Sequence, residues 1–219
     1  MRRTVLLVCF CLLIGVFSCP AQSQQPEKKA RRILSDVSRR YAKLTTLEAH
    51  FNFTLVNPQD HLNETQSGSL ITQPSTNRYR VRLPSQELFS DGKANYTWLK
   101  TQKEIQISAL DSNNESINPA RIFSVYEKGF KYQYKQEVNE GGRKLDIIDL
   151  LPIKSKKIIR AQVAIIRHVH LIYRIRLFDK NGSQLTYTIT EFSPDPPLKG
   201  DEFTFDKKNY PGIEVVDLR

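Results

Sequence analysis

Cysteine is nearly missing from this chain of 219 residues, and its three copies, Cys9, Cys11 and Cys19, all lie in or beside the N-terminal apolar run. Everything downstream therefore lacks a thiol nucleophile, a thiolate metal ligand and a disulfide staple. There is no G-x-S-x-G elbow, which removes the commonest serine-nucleophile signature. Histidine is scarce too: four residues, His50, His61, His168 and His170, without a carboxylate motif or the spacing of a zinc site. No dense run of lysine and arginine occurs, so nucleic acid is not an expected partner. Long apolar stretches are also missing. The longest, Val5 to Phe17, has 13 residues, well short of the ~20 a helix needs to cross a bilayer. Internal repeats, low-complexity tracts and βαβ alternation are absent as well, so a sheet in this chain should be antiparallel.

The N-terminus reads as a secretory signal. Arg2 and Arg3 precede the apolar run, and Ala21-Gln22-Ser23 places small residues at −3 and −1 of a cut before Gln24. The competing cut, before Cys19 in Val16-Phe17-Ser18-Cys19, would leave a lipidated cysteine, but Phe17 is too bulky for a good lipobox. The expected organisation is a signal peptide over 1–23 and a single domain over 24–219. Removing the signal takes away Arg2 and Arg3 and no acid, so the formal charge of +10 falls to +8, a balance that favours acidic partners or anionic head groups.

From Ala30 the apolar residues Ala30, Ile33, Leu34, Val37, Tyr41 and Leu44 recur with helical spacing, predicting an amphipathic helix that ends near Thr45-Thr46 after a polar leader at Gln24 to Lys29. The period then switches to 2. Leu47, Ala49, Phe51, Phe53 and Leu55 alternate with polar residues, and strands follow through Gly68 to Thr72, Arg78 to Leu83, Tyr96 to Leu99 and Glu104 to Ser108. Asp91-Gly92 is a hairpin signal. Asn118-Pro119 opens a short apolar helix through Ile122, Phe123 and Tyr126. Strands resume at Phe130 to Gln136, Leu145 to Leu151, Val169 to Leu177, Leu185 to Ile189, Phe203 to Phe205 and Ile213 to Val216. That makes a mainly antiparallel α+β chain of about 10–11 strands and two helices.

Candidate chemistry is thin. His168 and His170 would share a strand face, yet two histidines do not make a zinc site, and solvated strand residues explain them better. Asp146 and Asp149 sit at an odd offset, which puts them on opposite faces and rules against shared acid–base work. Five N-x-S/T sequons, beginning at Asn52, Asn63, Asn95, Asn114 and Asn181, are explained largely by the abundance of Asn, Ser and Thr. Neither an enzyme nor a cofactor is expected. What is in excess is apolar surface on one face of many strands, and two readings of it stand: a helix plugs that face permanently, or the face is a groove for an apolar ligand.

The ordered set of a first helix, Thr46-Leu47-Glu48-Ala49-His50-Phe51, Gly68 to Pro74, Arg80, Ser90-Asp91-Gly92-Lys93 with Trp98, Asn118-Pro119, Phe203-Thr204-Phe205 and Pro211-Gly212-Ile213-Glu214-Val215 resembles the LolA family of periplasmic outer-membrane lipoprotein carriers. The likeness runs from about residue 30 to the C-terminus. It implies an unclosed half β-barrel, with the N-terminal helix and a short lid helix over the concave face. Function follows as an expectation: a non-catalytic, monomeric periplasmic carrier that takes acylated lipoproteins from an inner-membrane ABC transporter towards a possible outer-membrane acceptor. A lipid-anchored acceptor or envelope-stress sensor on the same fold is the alternative. The implied acyl-chain lining is Phe51, Phe53, Tyr79, Val81, Leu83, Trp98 and Ile107, with Ile122, Phe123 and Tyr126 as lid. Where the family often carries a lid-latching arginine before the proline of the second strand, this chain has Gln73, while Arg80 matches a later family arginine. Phe53 stands where the family usually has Gln. The even-numbered arginines Arg78, Arg80 and Arg82 are expected on the outside, opposite Tyr79, Val81 and Leu83.

Overall fold

A computed structural model describes residues 24–110, 129–154 and 157–219. The signal segment, Cys19 and the lid residues Ile122, Phe123 and Tyr126 lie outside the described residues. The helix α1 (Gln24–Tyr41) is followed by β1 (Leu47–Asn57), β2 (Leu62–Gln73), β3 (Arg78–Arg82), β4 (Gln86–Asp91), β5 (Ala94–Leu99), β6 (Glu104–Ala109), β7 (Phe130–Glu140), β8 (Arg143–Pro152), β9 (Ile158–Ile166), β10 (Leu171–Asp179), β11 (Gln184–Pro194) and β12 (Glu214–Asp217). All twelve strands belong to one sheet in the order β12-β6-β5-β4-β3-β2-β1-β11-β10-β9-β8-β7, with β12 and β7 as its two edges. The sheet does not close, as expected of a half-barrel.

Register sorts the side chains into two faces. Leu70 opposite Val81 and Thr72 opposite Tyr79 lie on the face that also carries Phe51 and Phe53 of β1. This is the inner face, because α1 packs on it. Ala30, Ile33, Leu34, Val37 and Tyr41 of α1 are buried in one core with Ile148, Leu150, Val163, Ile165, Ile172 and Ile175. The apolar stripe read from the sequence thus becomes the helix's buried face. Its C-terminal end is fixed by the amide of Ile172, which donates to the Tyr41 hydroxyl at 3.1 Å.

Several expectations are corrected. α1 starts at Gln24 instead of Ala30 and ends at Tyr41, so the polar leader is helical. β9 escaped the pattern reading because Ile158-Ile159, Val163, Ala164, Ile165 and Ile166 are apolar without alternation. Both faces of its second half are covered: Val163 and Ile165 join the inner core, and Ala164 joins a small outer cluster with Leu145 and Ile147. The predicted strand from Val169 begins only at Leu171; residues 167–170 form a turn with His170 at φ 52°, so the two histidines do not share a strand. Phe203-Thr204-Phe205 is irregular instead of extended. The sheet is antiparallel except at β12, which runs parallel to β6. That pairing is possible because residues 195–213 cross the outer face from β11 to the far edge.

At the β4–β5 hairpin only Gly92 takes a left-handed φ, 89°. A Cβ there would come within 2.8 Å of the Thr76 carbonyl. Asp91 acts through its carboxylate, which accepts from the amides of Lys93 at 2.8 Å and Ala94 at 2.9 Å.

Candidate functional site: the two faces of the β1–β6 ribbon

On the inner face Phe51, Tyr79 and Val81 are buried, and Phe53 and Leu83 are half-buried against the same core. Gly68 lets them meet: a Cβ at that position would lie 2.7 Å from Leu83 Cδ2, 2.8 Å from Phe51 Cζ and 2.9 Å from the Arg82 carbonyl. Tyr187 joins from β11, its ring centroid 5.0 Å from that of Phe53 and 6.0 Å from that of Phe51. Burial pushes the Tyr79 hydroxyl up to about 12 and raises that of Tyr187, so both are neutral. Leu88, Leu185 and Ile189 extend it and are half-buried. The sequence reading passed over these three and Tyr187. The signal was present in the odd-numbered stripe Leu185, Tyr187 and Ile189, whose register opposite Leu55, Phe53 and Phe51 only the sheet order reveals.

Trp98 and Ile107 are not part of that lining. Trp98 pairs with Glu87 and Ile105, and Tyr96 with Phe89 and Ile107, on the strand parity that carries Arg80. They sit on the outer face with Ala94, Ile105, Phe205, Tyr210, Ile213 and Val215. The expectation failed because alternation within a strand does not say which parity points inward. There the C-terminal segment is bound through aromatic contacts: Tyr96 stacks on Phe89 at 5.0 Å, Phe205 lies 5.5 Å from Tyr96, and Tyr210 meets Trp98 edge-on at 5.0 Å.

Arg80 is on the outer side, as its parity predicts, yet it is buried there, with 8% of its side chain exposed. Its Nε donates to the Glu202 carbonyl at 2.6 Å, one terminal nitrogen donates to Glu87 at 3.0 Å and to the Tyr210 hydroxyl at 3.4 Å, and the other reaches the Thr204 carbonyl at 3.5 Å. The guanidinium also lies 4.2 Å above the Phe89 ring. Burial works against its charge, but the Tyr210 and Glu87 bonds raise its pKa above the ordinary value. Arg82 joins the same assembly through Glu202. The contacts seen for Arg80 therefore latch residues 202–210. Gln73 shares the outer parity, opposite Arg78, and its carbonyl accepts from the Thr76 hydroxyl at 3.2 Å.

The rejected chemistry stays apart. Asp146 accepts from the Tyr134 hydroxyl at 3.0 Å, whereas Asp149 accepts from Gln162 at 2.8 Å; their strand partners, Ile165 and Gln162, place them on opposite faces. Among the described residues no group of three or more His, Cys, Asp or Glu could hold a metal ion, and no helix is long and apolar enough to cross a membrane.

Among solved structures, an uncharacterized conserved protein from Thermus thermophilus superposes with a TM-score of 0.58 at 14% identity, over 86% of this chain and 99% of that one. LprF from Mycobacterium bovis gives 0.49 at 13% identity over 80% and 96%. A LolA superfamily protein from Nitrosomonas europaea gives 0.45 at 10% over 81% and 98%. The comparison with curated proteins yields no match. The sequence profile of the outer membrane lipoprotein carrier protein LolA matches residues 42–206, well over half of the chain. With an unclosed sheet, a helix on its inner face and this match, the chain belongs to the LolA family.

Proposed function

We propose that this protein is a periplasmic carrier that holds the acyl chains of lipoproteins against the inner face of β1–β4 and β11 and moves them from the inner to the outer membrane. The observation that carries the reading is an asymmetry within that face. Ile148, Leu150, Val163, Ile165, Ile172 and Ile175 of β8–β10 are buried in one core with α1, whereas Phe53, Leu83, Leu88, Leu185, Tyr187 and Ile189 are only half-buried. Such a stripe of aliphatic and neutral aromatic side chains suits hydrocarbon, and each buried CH₂ is worth ~0.8 kcal/mol. Phe51, Phe53, Tyr79, Val81 and Leu83 are assigned to the acyl chains, and Ile122, Phe123 and Tyr126 to the lid. The signal over 1–23, the ABC transporter as donor and an outer-membrane acceptor complete the proposal. No catalytic group or cofactor is assigned.

The test is binding of a triacylated peptide to the purified, delipidated chain. Saturable binding that Phe53→Asp abolishes is expected. An unmodified chain that does not bind, or a Phe53→Asp variant that binds as well, overturns it. In a strain depleted of the protein, lipoproteins should accumulate at the inner membrane.

A further inference from the structure

The outer face of β7–β10, away from the C-terminal segment, holds a pocket of about 390 Å³ lined by Lys135, Gln136, Glu140, Gln162, Arg174 and Arg176 over an apolar floor that includes Ile147. Its one carboxylate, Glu140, and the nearby Asp149 are already engaged. Glu140 accepts a two-pronged bond from Arg174 at 2.5 and 2.9 Å, and this bond holds its carboxyl below the ordinary range. Asp149, opposite Gln162 in the register, is taken by Gln162 at 2.8 Å and by Arg160 at 3.4 Å. Arg176 is left over. Its Nε is buried with no hydrogen-bond partner among the described residues, although Arg176 faces Gln162 across β9 and Thr186 across β11. Burial and the neighbouring charge of Arg174 push its pKa down, and the opposite charge of Glu140, already bound by Arg174, only partly offsets them. Lys135, at the register shift between Tyr134 and Gln136 in β7, adds a second cation on the rim.

A guanidinium offers N–H groups in a fixed fork that matches two oxygens of a tetrahedral oxyanion, and an unmet buried donor is a standing demand for such an acceptor. We propose that this pocket binds a phosphate-type anion, with Arg176 Nε and a terminal nitrogen as the fork and Lys135 as the second contact. The volume exceeds a bare phosphate, leaving room for the organic part of a phosphate ester such as a lipid head group. The site lies on the opposite side of the sheet from the acyl-chain stripe and does not depend on it.

The experiment is calorimetric titration of the purified full chain with inorganic phosphate at low salt, beside co-sedimentation with phosphatidylglycerol and phosphatidylcholine vesicles. Phosphate should bind, and Arg176→Gln should weaken it at least about tenfold, while Arg32→Gln, which removes an equal charge from exposed helix surface, leaves it unchanged. Lys135→Gln, at an exposed position, serves as the second variant should Arg176→Gln unfold. Phosphate binding without vesicle binding marks a site for free anions; Arg176-dependent binding to phosphatidylglycerol alone marks a lipid head-group site. Absence of both in the unmodified chain, or binding indifferent to Arg176→Gln and Lys135→Gln, overturns the proposal.

Discussion

The two faces of the β3–β6 ribbon use the same alternating strands for opposite purposes. On the inner side Tyr79, Val81, Leu83 and Leu88 form a graded apolar surface, with Tyr79 and Val81 buried and Leu83 and Leu88 half-buried. The outer side is closed. Phe89 is fully buried, and the guanidinium of Arg80 binds the backbone of residues 202 and 204 over an aromatic stack. The contrast teaches that aromatic content alone does not mark a ligand surface in an open sheet. The outer face holds the denser aromatic cluster and is covered by the chain's own C-terminal segment, whereas part of the sparser inner stripe is only half-buried.

Three perturbations probe that contrast. The largest effect is expected at Arg80→Met, which leaves Glu87 with Lys100 at 3.4 Å as its ion-pair partner among the described residues and removes the donor to the Glu202 carbonyl. Losing one partner of a buried pair should cost about 3 kcal/mol in urea denaturation and expose residues 195–213 to protease. A loss below about 1 kcal/mol would mean that the aromatic contacts hold the segment alone. Next comes a paired substitution. Trp98→Ala should cost about 2 kcal/mol of stability without changing acyl-peptide affinity, and Phe53→Ala should cost about 1 kcal/mol but weaken that affinity strongly; equal effects of the two on binding would erase the functional difference between the faces. The smallest is at Asp91. Burial raises its pKa, but the amide bonds from Ala94 and Lys93 and the Tyr96 hydroxyl outweigh it and hold the pKa below the ordinary 3.8. A depressed carboxylate contributes stability that is present above its unfolded pKa and lost as pH falls through its folded one. Asp91→Asn should therefore cost under about 1 kcal/mol at neutral pH, and the gap to the unmodified chain should shrink as melting is followed down to about pH 2.

Much of this architecture was legible in the residues, for reasons that differ by element. The stripe of α1 and the alternation of β1 and β3 are local periodicities, fixed by helix and strand geometry whatever lies beside them. β9 was not legible because its apolar run Val163 to Ile166, covered on both faces, has no polar side to alternate with. The β10 reading slipped at its start, and a register shift between Ile172 and Arg174 puts both Ile172 and Ile175 in the inner core, so a strict period of 2 assigns one of them to the wrong side. The acyl-chain stripe was half legible: Phe51, Phe53, Tyr79, Val81 and Leu83 fall together, but Tyr187 comes from a strand more than a hundred residues away, which only pairing can bring beside Phe53. The orphaned Arg176 had no sequence signal at all, since a missing partner is a property of the neighbourhood.

By itself the sequence determined that this is a chain of one-sided antiparallel strands opened by an amphipathic helix, that Arg80 and Tyr79 point to opposite sides, and that its motifs are those of the LolA family. The strand and helix pattern and the opposed side chains follow from covalent periodicity, and the family motifs are a resemblance. Tertiary structure alone decided which side is the inside, that residues 195–213 fold back over the outer face to make β12 a parallel edge, that Arg80 is buried under them, and that Trp98 and Ile107 face them. Burial is set by what lies across the sheet, and the coverage comes from a segment more than a hundred positions from the arginine it covers, a distance over which local pattern carries no information.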